Sequence, residues 1–152
     1  MRTITIIASL LLASAANAQA LNPDVTQENI AKTICVPGYT ATVRPSVSYT
    51  NGIKMHLLRE ARIDVANSEQ FELDHVVPLC LGGHPRQTLN LRLQPWHEAK
   101  IKDKLEAHLC CLVCSGQVPL KEAQGAIWRD WKAAAKKYTQ HCSHHMRASI
   151  GE

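Results

Sequence analysis

The stretch that decides the fold reads Leu73-Asp74-His75-Val76-Val77-Pro78-Leu79, and Gly82-Gly83 follows it closely. We predict that residues 71–79 form the first strand of the site. Adjacent side chains of a strand point to opposite faces of the sheet. Asp74 and His75 can therefore converge on one point only if the strand ends or distorts there, and Pro78 and the glycine pair supply that disruption.

The residues that follow continue the pattern of a hairpin closed by a helix. We predict a loop, a return strand and a helix, placed at 84–88, 89–93 and 95–112. Pro95 suits the first position of a helix, where its missing N–H costs nothing.

Two polar residues of this second half stand out, Asn90 in the return strand and His97 in the helix. Residues three and four apart share a helix face. His97 therefore belongs to the same face as Ile101, Leu105 and His108. Because that face carries apolar residues, we expect His97 to point inward toward the hairpin and not into solvent.

The residue types favour phosphodiester chemistry. A phosphodiester is already negative, so its hydrolysis requires neutralisation of developing charge and a deprotonated water near neutral pH. The carboxylate of Asp74 suits a hard ion such as Mg²⁺. The neighbouring His75, with an ordinary pKa of roughly 6.5, can accept a proton at physiological pH.

The order and spacing of these residues, over roughly 73–103, resemble the HNH nuclease motif of the ββα-metal fold. The resemblance implies that Asp74 and His97 bind one divalent metal ion, and that His75 deprotonates the attacking water. It also implies that Asn90 ties the hairpin loop together and orients His75. Mg²⁺ is the implied ion, with Mn²⁺ and Zn²⁺ as alternatives. The motif departs from many HNH domains in having only one CxxC pair, which comes after the helix.

Basic residues near the motif are candidates for phosphate contacts, although a net charge of +4 alone does not imply nucleic acid. We select Arg86, Arg92 and Lys100 as substrate-binding residues. The alternative is that the two arginines pair with Glu72 or Glu98, and that the lysines line a solvated helix face.

The start of the chain has the pattern of a secretory signal peptide. Arg2 precedes an apolar run, and Ala16-Asn17-Ala18 is a small-x-small cleavage site. We predict cleavage after Ala18, with Ala20 as the alternative. The predicted location is the periplasm or the medium, with no membrane association after cleavage.

Six cysteines remain after this cleavage, and an even number in an exported chain favours disulfides. We predict a bond from Cys35 to the cluster Cys110–Cys114. The alternative is a zinc site built from Cys110, Cys111 or Cys114 with histidines of the C-terminal tail.

The whole chain is predicted to be an α+β domain, mostly helical, that surrounds the hairpin-helix unit. We place one domain at 19–152, with its motif core at 71–112. Three further helices are predicted at 26–33, 52–62 and 119–139, and extended chain over 35–45. The last helix has an apolar stripe at helical spacing, made of Leu120, Ala123, Ile127, Trp131, Ala134 and Tyr138.

A second resemblance covers nearly the full mature chain. Thr33-Ile-Cys-Val-Pro-Gly-Tyr39, the strand 71–79 and Gln94-Pro-Trp-His97 resemble a group of exported bacterial HNH-like proteins. The motif favours a metal-dependent endonuclease that cuts DNA, with low sequence specificity because no recognition helix or finger is evident, and we expect a monomer. A non-catalytic module that binds nucleic acid or a cell surface is the alternative. A structural protein, in which the Asp and His residues only pack, is the third possibility.

Overall fold

The computed structural model describes residues 19–139 and Cys142. They form a small α+β domain with one two-stranded antiparallel sheet. The strands are β1 and β2, and four α-helices, α1 to α4, accompany them. In chain order the elements are α1 Tyr39–Val43, α2 Val47–Glu60, β1 Phe71–His75, β2 Leu91–Pro95, α3 Trp96–Cys114 and α4 Leu120–Lys137.

Both predicted strands are present but displaced from their predicted bounds. The first ends at His75, not at residue 79, and the second runs to Pro95. In the ladder Asp74 lies opposite Arg92. The ladder stops before Val77, whose backbone N–H and carbonyl form hydrogen bonds with the side chain of Asn90. These two backbone groups therefore need no partner strand.

The N-terminal third differs more from the prediction. The helix predicted at 52–62 starts earlier, because Ser46 caps it and its Oγ accepts the N–H of Tyr49. The helix predicted at 26–33 is reduced to a short 3₁₀ turn, Ile30–Lys32. The segment predicted as extended contains α1, which follows Gly38 with a φ of 81°.

The C-terminal helix confirms the predicted stripe, since all six of its residues are buried. The helix is interrupted at Asp130, which has φ −161° and ψ 93°. The carboxylate of Asp130 accepts the N–H of Ala133 at 3.0 Å, and so caps the second part of the helix. Together α3 and α4 supply most of the apolar core.

The predicted orientation of α3 is only partly confirmed. Leu105 is buried as expected, whereas His97 is exposed and Ile101 of the same face is 55% exposed. The buried face passes through Ala99, Lys102, Leu105 and Leu109. The apolar residue Ile101 is therefore exposed and the charged residue Lys102 is buried, because Lys102 has buried acceptors on the hairpin.

Three disulfides fasten the chain to the last two turns of α3. The predicted bond from Cys35 to the cluster is confirmed, with Cys114 as its partner and the Cα atoms 5.5 Å apart. The zinc alternative is wrong, because all three of its cysteines form disulfides. The other two bonds join Cys80 to Cys110 and Cys111 to Cys142.

Two predictions fall on parts of the chain that are not described. The signal peptide at 1–18 and the tail histidines lie outside the described residues. In the remaining part, no helix is both long and apolar enough to span a bilayer.

Candidate functional site

Asn90 braces the loop between the two strands. Its side chain is fully buried, and its Oδ1 accepts the N–H of Val77 at 2.8 Å. Its Nδ2 donates to the carbonyls of Val77 and His84, both at 3.0 Å. Both amide hydrogens and the carbonyl oxygen are thus used within the loop, which fixes the position of the residues between 77 and 84.

The same loop requires glycine at position 83. A Cβ at Gly83 would lie 1.8 Å from the carbonyl oxygen of Val77 and 2.8 Å from Nδ2 of Asn90. Only a residue without a side chain permits this approach of the two backbone segments. The Gly82-Gly83 pair therefore allows the tight fold of the loop that Asn90 then holds.

His75 is the half-buried titratable side chain at the end of β1. Its Nε2 lies 3.1 Å from the carbonyl oxygen of Pro85. A carbonyl oxygen only accepts, so Nε2 must carry the proton, and the lone pair of the neutral ring is on Nδ1. The loop that Asn90 braces thereby selects the tautomer of His75.

The charge state of His75 is set by its surroundings. Burial lowers its pKa below the ordinary value of 6.5. The Pro85 carbonyl and the Asp74 carboxylate oppose that effect, whereas the Arg44 guanidinium and the Lys102 ammonium add to it. The ring is therefore neutral at pH 7 and can accept a proton on Nδ1.

Asp74 is directed away from solvent and toward α3. Its residue is only 7% exposed, and its Oδ2 lies 2.8 Å from Nζ of Lys102. The guanidinium of Arg92 is farther, with Nη2 at 3.9 Å from the same oxygen. The carboxylate is therefore neutralised mainly by the ammonium of a side chain from the facing helix.

Lys102 is fully buried and contacts three oxygens. Besides its ion pair with Asp74, its Nζ donates to the backbone carbonyl of His75 at 2.8 Å and to the carboxylate of Glu106. Two of the three ammonium hydrogens thus have acceptors, and the Asp74 carboxylate adds an opposite charge. We call Lys102, Asp74, Glu106 and the His75 carbonyl the lysine cluster.

Further acidic residues surround this cluster. Burial, together with the charges of Asp74 and Asp103, raises the pKa of Glu72 to about 7. Burial also raises the pKa of Glu106, and the Lys102 ammonium opposes that shift. The acidic side chains next to the hairpin thus compete for the few buried cations.

The predicted basic residues have different environments. Arg86 is exposed, and its guanidinium carbon lies 5.1 Å from the ring centroid of Tyr49. Arg92 is half-buried and donates to the side-chain oxygen of Gln94 at 3.0 Å. Lys100 is exposed on α3. Glu98, the alternative partner of the arginines, binds Lys132 at 2.6 Å.

The predicted metal ligands do not fit a metal ion in this arrangement. Asp74 is already bound by an ammonium, and His97 is exposed. Within residues 19–139 and Cys142, no three His, Cys, Asp or Glu side chains are grouped so that they could hold an ion. A hard divalent ion requires several oxygen ligands, and these two residues alone do not provide them.

Sequence reasoning missed the parts of the site that come from outside the hairpin. It treated Lys102 as a surface lysine, and it did not consider Arg44 or Glu106. The spacing of Lys102 and Glu106, four residues apart on a helix, is the one local signal of this pair. Nothing local indicates that Arg44, which precedes α2, lies near His75.

The site therefore combines a neutral imidazole of fixed tautomer with nearby cationic side chains and a buried carboxylate. These groups can accept one proton and can balance a negative charge on a bound molecule. Comparison of the chain with protein-family models, with curated proteins and with solved structures finds no match.

Proposed function

We propose that this protein is an HNH-type endonuclease that hydrolyses phosphodiester bonds in DNA, with His75 as the general base. The observation that supports the proposal most is the contact of His75 Nε2 with the Pro85 carbonyl, at 3.1 Å. It leaves Nδ1 as the acceptor, and the lowered pKa keeps that acceptor free of a proton at pH 7.

In this mechanism, Nδ1 of His75 takes a proton from a water molecule whose oxygen bonds to phosphorus. The bond from phosphorus to the 3′-oxygen, in line with the attack, breaks, and the 3′-oxygen takes a proton from a solvent water molecule. Arg92 and Arg44, which lie near Asp74 and His75, balance the negative charge that builds on the phosphate. Asn90 acts indirectly, because it holds the loop that carries the Pro85 carbonyl. We derive no step through a metal ion, since the predicted ligands do not fit one.

Arg86 and Lys100 are exposed and remain the proposed contacts to the nucleic-acid backbone. Contacts of this kind do not read base sequence, so the proposed cleavage has low sequence specificity. Binding should weaken as the salt concentration rises, because each phosphate contact releases counterions.

Export to the periplasm or the medium belongs to the same proposal. Three disulfides are typical of proteins in oxidising compartments and rare in the cytosol. A nuclease of low specificity is also safest for the cell when it acts outside the cytoplasm.

A second candidate function is a nucleic-acid or cell-surface binding module without catalysis. The burial of Asp74 against Lys102 favours it, because that carboxylate is 7% exposed and paired with an ammonium of the protein itself. Under this alternative the hairpin is a scaffold, and His75 only packs against its loop. Replacement of His75 by alanine would then leave the binding affinity intact.

Nicking of supercoiled plasmid by the oxidised protein separates the two candidates. Wild type, His75→Ala and His56→Ala should be compared in EDTA and in Mg²⁺, Mn²⁺ and Zn²⁺. His56 is the matched control, since its side chain is 57% exposed on α2 and contacts Glu60 at 3.3 Å. We expect His75→Ala to lose about 10²–10⁴-fold in rate, the usual contribution of a general base, and His56→Ala to lose nothing.

Absence of cleavage on double-stranded DNA, single-stranded DNA and RNA in every buffer would refute the nuclease proposal. Equal activity of His75→Ala and wild type would refute the role of His75 and leave the search for another base open.

A further inference from the structure

We propose that the Lys102 ammonium is the resident cation of this site and takes the place of the divalent metal ion. The inference rests on the proposed function for its catalytic meaning. Its structural content, that the site is filled by a lysine and does not bind a divalent ion through Asp74, can be tested without any cleavage assay.

The first argument is the set of oxygens around Nζ of Lys102. The Asp74 carboxylate and the His75 carbonyl both lie at 2.8 Å, and the Glu106 carboxylate is the third contact. Two carboxylates and a backbone carbonyl are ligand types that a hard divalent ion prefers. The lysine cluster thus has the oxygen donors of a cation site, and its cation is part of the chain.

The second argument is burial. Lys102 is 0% exposed, and a buried ammonium is tolerated only where it is paired and fully hydrogen-bonded. An ion from solution would have to displace this ammonium, which is tethered to the chain. The displaced ammonium would then remain in the interior as a charge without its acceptors. The Arg92 guanidinium, 3.9 Å from the same Asp74 oxygen, adds further repulsion against an incoming cation.

The third argument is the phase of α3. The helix turns its Lys102 face toward the hairpin, and the predicted ligand His97 is exposed. The residue that reaches Asp74 from this helix is therefore a permanent cation, whereas the histidine that was expected to bind one is directed elsewhere.

The test measures the binding of Mn²⁺ to the full oxidised protein, from which bound metal has first been removed with EDTA. Binding is detected as a loss of the EPR signal of the free ion. Wild type, Asp74→Asn, Lys102→Met and Lys104→Met should be compared. Methionine keeps the length of the lysine stem without its charge. Lys104→Met is the matched control, because Lys104 is exposed two residues later on the same helix.

We expect wild type, Lys104→Met and Asp74→Asn to bind Mn²⁺ equally, so that no binding depends on Asp74. We expect Lys102→Met to gain one ion, because removal of the ammonium leaves Asp74, Glu106 and the His75 carbonyl to a cation from solution. Thermal unfolding of this variant should then shift to higher temperature when Mn²⁺ is added, since an ion that binds only the folded state stabilises it.

Two results would overturn the inference. One is a wild-type Mn²⁺ site that disappears in Asp74→Asn. The other is a folded Lys102→Met protein that gains no ion. If Lys102→Met does not fold, the comparison of wild type with Asp74→Asn still decides. Failure of the proposed function is recognised separately, as absence of nicking in every buffer, whereas nicking in EDTA equal to that in Mg²⁺ supports both proposals.

Discussion

Replacement of Asn90 by alanine tests how much the brace of the loop contributes to stability. The change removes three hydrogen bonds, to the N–H and carbonyl of Val77 and to the carbonyl of His84, at 2.8–3.0 Å. A net contribution of about 0.5–1.5 kcal/mol for each of the three bonds gives a loss of about 1.5–4.5 kcal/mol. The upper half is expected, because Asn90 and Val77 are both 0% exposed and water cannot replace the lost partners.

The assay is urea unfolding of the oxidised protein at neutral pH. Wild type should be compared with Asn90→Ala and with Asn51→Ala, a control at an exposed position of α2. We expect a lower midpoint for Asn90→Ala with an unchanged slope, and a change within about 0.5 kcal/mol for the control. A loss below about 1 kcal/mol would refute the reasoning, because it would mean that water or a rearranged backbone satisfies the three loop groups.

Gly83→Ala should abolish folding or lower the free energy of unfolding by more than about 3 kcal/mol, because its Cβ would lie 1.8 Å from the Val77 carbonyl oxygen. A wild-type urea midpoint for this variant would contradict the prediction. The rate of nicking should stay constant down to a pH below 6.5 and fall at more acidic pH, because burial lowers the pKa of His75. A fall in rate whose midpoint lies above pH 6.5 would contradict that cause. Replacement of both Cys35 and Cys114 by serine removes a link between residues 79 positions apart. Thermal unfolding should show a loss of about 4 kcal/mol in the free energy of unfolding. A loss under about 1 kcal/mol would show that the unfolded chain is already constrained.

Features that depend on local pattern were predictable from the sequence. The stripe of α4 follows from helical periodicity, and all of its members are buried. The hairpin and the helix after it follow from the positions of Pro78, the glycine pair and Pro95. The disulfide from Cys35 to the α3 cluster was also predicted, and the structure selects Cys114 within that cluster.

Features that depend on a distant partner were not predictable. A lysine at position 102 normally indicates a solvated helix face. It is buried here because the Asp74 carboxylate pairs with its charge and the His75 carbonyl accepts one of its hydrogens. With Lys102 turned toward the hairpin, His97 is exposed. The separation of His97 from Asp74 therefore follows from the phase of α3.

Asp74 and His75 are adjacent in the chain but belong to different networks of the fold. In a strand their side chains leave on opposite faces, so one can serve the scaffold while the other faces the loop. Asp74 joins the hairpin to α3 through Lys102, whereas the His75 ring takes its tautomer from the Pro85 carbonyl. The backbone of His75 connects the two networks, because its carbonyl accepts the same ammonium that neutralises Asp74. A change in the lysine cluster should thus reach the imidazole through the main chain, without any direct contact between the ring and the lysine.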